Sequence, residues 1–537
     1  CNVAPAHFAR CCESCESGES KRCSTTSTAQ RPEPSSMLEV TVALLVVLCA
    51  WFLVRRRQAP PSFPQVPGWP LVGSLLDVSD VSQLNKKFDE WCKVYGEEKG
   101  AFEVNLAGQR FIVVCKHALA TELLAQRPFK LQRGAVTRES VPFEGLFMAE
   151  GDQWRQDKRV VGPAFSHKHL NEYLTSIKCV AERLLDVLAA PTCEEDASRP
   201  VEVRHVTYCA TADVIALAAF GHDFDSLRQR NNPVLDALKQ LFPIIMLRCM
   251  SPLKYWTLPL IGQRLDGCEK VVHRLTRAVG HIIAERRAAD AAQSEQGKEP
   301  PFTVLRKMLE RSAAEPTKFE YRRVVGNLIT LFIAGADTSS ATMTWMVYRL
   351  AKDKELQREL AAEASPLNLA VMNMQELLDS LPRLRSFFYE CLRVHGPTPC
   401  LDFENAEDVT LAGQTYAPDR SRTFLVMTRY ISQAAEAEEL GVGPEPGGFE
   451  PRRWLEPDGS IRLPPADVVM PFGHGARLCP GKDLAMLEIL VCVGRMLQVF
   501  TLALPPGHPE VGSETHFTER PDRDVNVVFT QRKEGDL

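Results

Sequence analysis

Residues 471–488 read PFGHGARLCPGKDLAMLE, a glycine-rich loop that delivers one cysteine, Cys479, to the start of an apolar helix. A helix amino terminus offers unpaired amide donors and a partial positive charge, which stabilise a thiolate and temper its donation to a metal. A thiolate held in this way is a good ligand for iron. Gly475 and Gly481 let the backbone pass close to a flat macrocycle, Phe472 can cover the sulfur, and Arg477 can pair with an acidic group on the cofactor. Two other glycine-loop chemistries fail in detail. Gly473-His474-Gly475 lacks the third glycine of a dinucleotide fingerprint, and Gly481-Lys482 lacks the upstream glycine and the hydroxyl of a phosphate loop. His474 reads as a loop residue, because the cysteine already supplies the axial bond.

Upstream, residues 332–345 read FIAGADTSSATMTW in the middle of a long helical pattern, and polar groups at that place need a reason. Ala334 and Gly335 are small enough to let a ligand approach the helix, and Thr338 can bond to the carbonyl one turn back and bend it. Taken alone, Thr338 reads as a satisfied helix hydroxyl and Asp337 as a solvated acid; beside the cysteine loop the preference reverses. In YECLRVHGP, Glu390 and Arg393 fall three apart and share a helix face. The same spacing recurs at Glu19 and Arg22, Glu320 and Arg323, Glu355 and Arg358, and Glu450 and Arg453, so position in the chain has to decide which pair matters.

The loop's F-x-x-G-x-R-x-C-x-G pattern, filled by Phe472, Gly475, Arg477, Cys479 and Gly481, resembles the haem-binding signature of the cytochrome P-450 family. The resemblance extends from roughly Met37 to Val528, with the motifs in family order. Ala334 to Thr338 is similar to the family's A-G-x-D-T segment, which implies that Asp337 and Thr338 manage protons delivered to dioxygen. FEPRRW offers Pro451, Arg453 and Trp454 to a further motif, implying a structural triad of Glu390, Arg393 and Arg453. GDQWRQDKRVVGPAF resembles a W-x-x-x-R helix whose members bond the haem propionates: Trp154 fits, but Lys158 stands where arginine is usual and Arg159 follows, leaving open which of the two contacts the cofactor. No basic propionate partner lies in FENAED, residues 403–408.

The resemblance implies haem b (iron protoporphyrin IX) on Cys479 and a monooxygenase that inserts one atom of dioxygen into a lipophilic small molecule. No nicotinamide or flavin fingerprint occurs in the sequence, so a separate NADPH-cytochrome reductase, with cytochrome b5 as a further donor, is the expected source of electrons. Lys482 and Arg155 are candidates for its docking site. By analogy the substrate pocket includes Phe143, Phe147, Ala334, Thr338 and Leu401. The competing readings are a reductase-independent haem-thiolate isomerase or dehydratase and a non-catalytic membrane haem protein. Asp337 and Thr338 argue against both.

The predicted fold is mainly α with small β-sheets, one catalytic haem domain over residues 71–537 behind an N-terminal anchor. Helical periodicity runs through 170–188 and 324–350; strands are expected at 111–115, 409–411 and 424–427, and a surface loop at 286–301. Residues 1–36 read as a disordered leader or an upstream translated segment. Residues 37–54 read as a transmembrane signal anchor: the run at 38–54, LEVTVALLVVLCAWFLV, spans about 25 Å as a helix and suits the endoplasmic reticulum membrane. Arg55, Arg56 and Arg57 place the body in the cytosol. Residues 55–70 form a basic, proline-rich hinge. The balance of 63 basic against 68 acidic residues provides no field for a phosphate backbone, so no nucleic-acid partner is expected. The 17 cysteines read mostly as free thiols.

Overall fold

The computed structural model describes residues 62–533 apart from 190–198, 230–231, 252–253, 260, 435–447 and 517. The leader, the anchor and the first part of the hinge, through residue 61, lie outside the described residues. Six helices position the site: α1 (Gly151–Val161), α2 (His167–Ala189), α3 (Val203–Ile215), α4 (Tyr321–Lys352), α5 (Pro382–His395) and α6 (Lys482–Val499). Helix α4 is the axis of the core. Apart from its ends it is buried nearly all round, as a helix surrounded by others is, and Arg349 and Lys352 in its last turn complement the dipole. It is long and apolar enough to cross a membrane, but its most apolar window is 78% buried inside the protein, the character of a core helix.

Helix α3 crosses α4 at close range. Thr211 donates to the Ala336 carbonyl at 2.8 Å, and the Thr207 and Thr344 hydroxyls meet at 3.0 Å. A Cβ on Gly335 would lie 2.9 Å from the Ile215 side chain, so this glycine serves helix–helix packing and not the approach of a ligand. Helix α5 starts with Pro382 in its first turn, where a missing N–H costs nothing, and the Glu363 carboxylate accepts from the amides of Arg383 and Leu384 at 2.8 and 2.9 Å.

A five-stranded sheet flanks the helices. Its strands are β1 (Ala101–Leu106), β2 (Gln109–Val114), β3 (Leu131–Arg133), β4 (Leu401–Asn405) and β5 (Arg422–Val426), in the order β1-β2-β5-β4-β3. Only the β2–β5 pair is parallel. The β3–β4 register sets Arg133 opposite Phe403, a pairing that matters below. A short hairpin of β6 (Ser513–Thr515) and β7 (Glu519–Pro521) reaches α4 from the carboxyl-terminal side.

Residues 62–70 are extended and dock on β1: Val66 donates to the Glu103 carbonyl, Glu103 donates back to Pro64, and Phe63 is buried. The expected loop at 286–301 is corrected by the structure, because the helix Cys268–Glu295 continues through its first ten residues. Arg286 and Asp290 pair across one turn among alanines, and the helix ends at Glu295, with Gly297 at a φ of +71° just beyond it. All ten described cysteines are free, six of them buried.

Candidate active site

The loop before α6 is built from its glycines. Gly473 and Gly475 adopt φ of +77° and +67°, the left-handed region that side chains resist. They fold the chain back so that the Cys479 amide donates to the Phe472 carbonyl at 2.9 Å. Phe472 packs against the main core near Phe388. Cys479 keeps accessible surface, while neighbouring protein desolvates its thiol. Burial pushes the thiol up, while the amides of Gly481 and Lys482 at the head of α6 pull it down. A Cβ on Gly475 would meet open space, and one on Gly481 would lie 3.9 Å from both Cys479 Sγ and the Phe165 ring.

Arg477 reaches back beneath α1. Its guanidinium lies over the Trp154 ring at 4.4 Å, donates to the Ala149 carbonyl at 2.6 Å and pairs with Glu150. Lys158 lies 5.0 Å from the same ring and donates to the Ala476 carbonyl at 2.6 Å; both Lys158 and Arg159 are exposed. Thus α1 and the cysteine loop are joined through Trp154, Lys158 and Arg477. Two further cations that the sequence did not reveal complete the cluster. Arg127 approaches Glu150 at 3.4 Å and stacks on Phe403. Arg133 lies 3.7 Å over the Phe147 ring, 3.9 Å from Asp402, with its backbone amide on Glu150 at 2.9 Å. The basic groups absent from FENAED therefore come from the neighbouring strand and the turn before it.

Three guanidiniums and an ammonium here face two carboxylates, Glu150 and Asp402. Burial, the largest influence on each guanidinium, lowers the pKa of all three, that of Arg127 to about 10. A cluster of buried, under-compensated arginines beside an accessible cysteine fits a flat group that carries carboxylates and an iron atom. The residues present therefore suit a haem.

Across α4, Ala334 is exposed and Asp337 and Thr338 are half-buried, while Phe332, Ile333, Ala336 and Ser339 around them are buried. Thr338 donates to the Ala334 carbonyl at 2.6 Å, the back-bond expected, yet the helix is unbroken. Asp337 Oδ2 accepts from Thr518 of the carboxyl-terminal hairpin at 2.6 Å, and burial raises this carboxyl. Helix α4 packs on α6, and Ser339 hydrogen-bonds Glu488 of α6.

Glu390 is fully buried and its two oxygens collect a crowd of donors. Arg393 binds it through Nε and Nη2 at 2.9 and 2.8 Å, Arg453 through Nε at 3.1 Å, Trp454 through Nε1 at 3.0 Å, and the Glu450 amide at 2.9 Å. The two arginines also donate to the Gly448 carbonyl. The structure so joins Glu390, Arg393 and Arg453 and adds Trp454. Of the pocket candidates, Phe147 is engaged by Arg133, and Phe143 and Leu401 pack against core clusters.

The family model described as Cytochrome P450 matches residues 61–524. Among similar curated proteins is a bifunctional cytochrome P450/NADPH–P450 reductase of Gibberella moniliformis, 26% identical over 476 residues, 85% of this chain and 40% of that protein. A chloroplastic carotene epsilon-monooxygenase of Arabidopsis thaliana is 24% identical over 90% of this chain and 89% of its own. A mitochondrial 25-hydroxyvitamin D-1 alpha hydroxylase of Homo sapiens is 27% identical over 79% of this chain and 84% of its own. The chain spans less than half the length of the two-part fungal relatives. With a family match across most of its length, the chain belongs to the cytochrome P450 family.

Proposed function

We propose that the protein is a haem-thiolate monooxygenase that inserts one atom of dioxygen into a lipophilic small molecule, using haem b and electrons from a separate NADPH-cytochrome reductase. The observation that carries this reading is an accessible Cys479 at the head of α6, together with an exposed Ala334 and half-buried Asp337 and Thr338 on the otherwise buried α4 that packs on α6. Haem, when bound, supplies reductive activation of dioxygen and transfer of one oxygen atom. In this reading Cys479 would supply the thiolate that holds the iron, and the Gly481 and Lys482 amides would moderate its charge. Arg127, Arg133 and Arg477, with Trp154 and Lys158, hold the propionates; Phe472 shields the sulfur, and the residues Gly475 and Gly481 leave room for the ring. The Asp337 carboxyl takes up and releases protons at Oδ2, and the Thr338 hydroxyl orients them. Glu390, Arg393 and Arg453 hold the core next to the cysteine loop without touching substrate.

Relatives named for carotene and for 25-hydroxyvitamin D support an apolar substrate. The apolar run at 38–54 and the arginines after it support anchorage in the endoplasmic reticulum membrane, with the domain in the cytosol. The first test is a carbon monoxide difference spectrum of the dithionite-reduced protein. A thiolate-type Soret band that vanishes in Cys479→Ala is expected; a histidine-type band in the folded protein would remove the oxygenase reading. Steady NADPH consumption with reductase and a lipophilic substrate then excludes both the reductase-independent and the non-catalytic alternatives.

A further inference from the structure

The two groups assigned above to proton handling are not hydrogen-bonded to each other. Thr338 turns its hydroxyl to the Ala334 carbonyl inside α4, and Asp337 turns Oδ2 outward to Thr518, which is itself buried. Thr518 stands at the hairpin of β6 and β7, next to a line of charged groups that ends at solvent. His516 donates its backbone amide to the Thr518 carbonyl at 3.0 Å, its ring pairs with Glu514 at 2.8 Å, and its side chain is 39% exposed. Arg520 binds Glu514 at 3.1 Å.

On the helix side, Asp337 is faced by Arg204 and Tyr208 of α3; Arg204 lies 3.9 Å from the exposed Asp524, and the Tyr208 hydroxyl is buried without a hydrogen-bond partner. Arg204, Arg520 and His516 all favour the charged carboxylate, as does the Thr518 hydroxyl. Every group that stabilises the charge thus lies on the hairpin side or at the start of α3.

We propose that protons reach Asp337 from the carboxyl-terminal hairpin, with Thr518 as the residue that positions the carboxylate and the His516–Glu514 pair as the solvent-facing donor. The inference rests on the reading of Asp337 as the proton-handling acid. Thr518 acts through Asp337, as a positioning residue.

The test uses the haem-loaded full chain with reductase and compares Thr518→Val, Thr518→Ser, His516→Gln and Asp337→Asn, each first checked for an unchanged thiolate-type carbon monoxide band. Infrared titration of the carboxyl band that disappears in Asp337→Asn reads the acid directly, without turnover. Thr518→Val removes a hydrogen bond to the charged form and is expected to raise that titration by about one pH unit, with Thr518→Ser restoring it. In turnover, Thr518→Val and His516→Gln are expected to divert several-fold more NADPH into peroxide and to enlarge the solvent isotope effect, again with rescue by serine. An unshifted titration and wild-type coupling in both variants, while Asp337→Asn still uncouples, would overturn the hairpin route and leave the acid's role intact. Normal coupling in Asp337→Asn itself would overturn both.

Discussion

Glu390→Gln keeps the size and shape of a side chain that accepts five hydrogen bonds and removes only its charge. Three of those bonds fall on Oε1, from Arg393 Nη2, Arg453 Nε and the Glu450 amide, and two on Oε2, from Arg393 Nε and Trp454 Nε1. If the amide oxygen of glutamine takes the Oε1 place, its NH2 group points at two donors. Each buried donor left without an acceptor costs about 1–3 kcal/mol. Both guanidiniums also lose the carboxylate that compensates them at full burial, so the total expected is about 3–5 kcal/mol. Urea unfolding followed by circular dichroism, at matched haem content, measures it. Arg452→Ala is the internal comparison: that side chain is 61% exposed and pairs with Glu359 at 2.9 Å on the surface, where the cost stays below about 1 kcal/mol. A Glu390→Gln cost as small as that of Arg452→Ala would refute the claim that this charge holds the core together.

Three other perturbations have outcomes fixed by the geometry. The Glu488 carboxyl, buried in α6, is pushed up to about 8 from an ordinary 4.5. Its protonated form suits the fold, so its contribution is complete below pH 4.5 and is lost as pH rises toward 8, at up to about 1.4 kcal/mol per unit; Glu488→Gln should flatten that slope in unfolding measured at several pH values. Gly335→Ala drives a Cβ against Ile215 and should cost about 1–3 kcal/mol, with Ile215→Ala relieving part of it in a double-mutant cycle. Arg133→Met should speed transfer of haem to an excess of a haem acceptor several-fold while leaving the thiolate band in place, and an unchanged transfer rate would remove Arg133 from the propionate site.

What the sequence discloses here is what lies close together along the chain. The cysteine loop is local, and its glycines, arginine and helix start can be read in eighteen consecutive residues. Glu390 and Arg393 are local too, one turn apart, though only the family resemblance singles them out from four equally spaced pairs. Arg133 was illegible for the opposite reason: it joins the site through the register of β3 against β4, which pairs residues 133 and 403 and which no periodicity encodes. Gly335 was misread because a small residue in a helix has two uses, admitting a ligand or admitting another helix, and only the position of Ile215 tells them apart. The polar tract at 286–295 looked like a loop because its surface is charged. Alanines and the Arg286–Asp290 pair make it a helix whose polar face simply meets water.

Two buried arginine clusters lie in this structure, and they are built to different ends. Arg393 and Glu390 show no exposed surface and Arg453 only 4%, and their donors end on a carboxylate and on main-chain carbonyls. A ligand cannot reach such a network without unfolding it, so its work is internal: it fixes Gly448 to Trp454 against α5. Arg477, Arg127 and Arg133 retain 7, 8 and 10% exposure beside the cysteine loop and α1; the first two pair with Glu150 and the third lies 3.9 Å from Asp402. Burying three guanidiniums around two carboxylates is costly unless further negative charge arrives. Burial lowers the pKa of each, in the direction that cost requires. The same residue type thus serves structure where its partners are complete and reception of an anionic group where they are not, and completeness of pairing, read with exposure, separates the two roles.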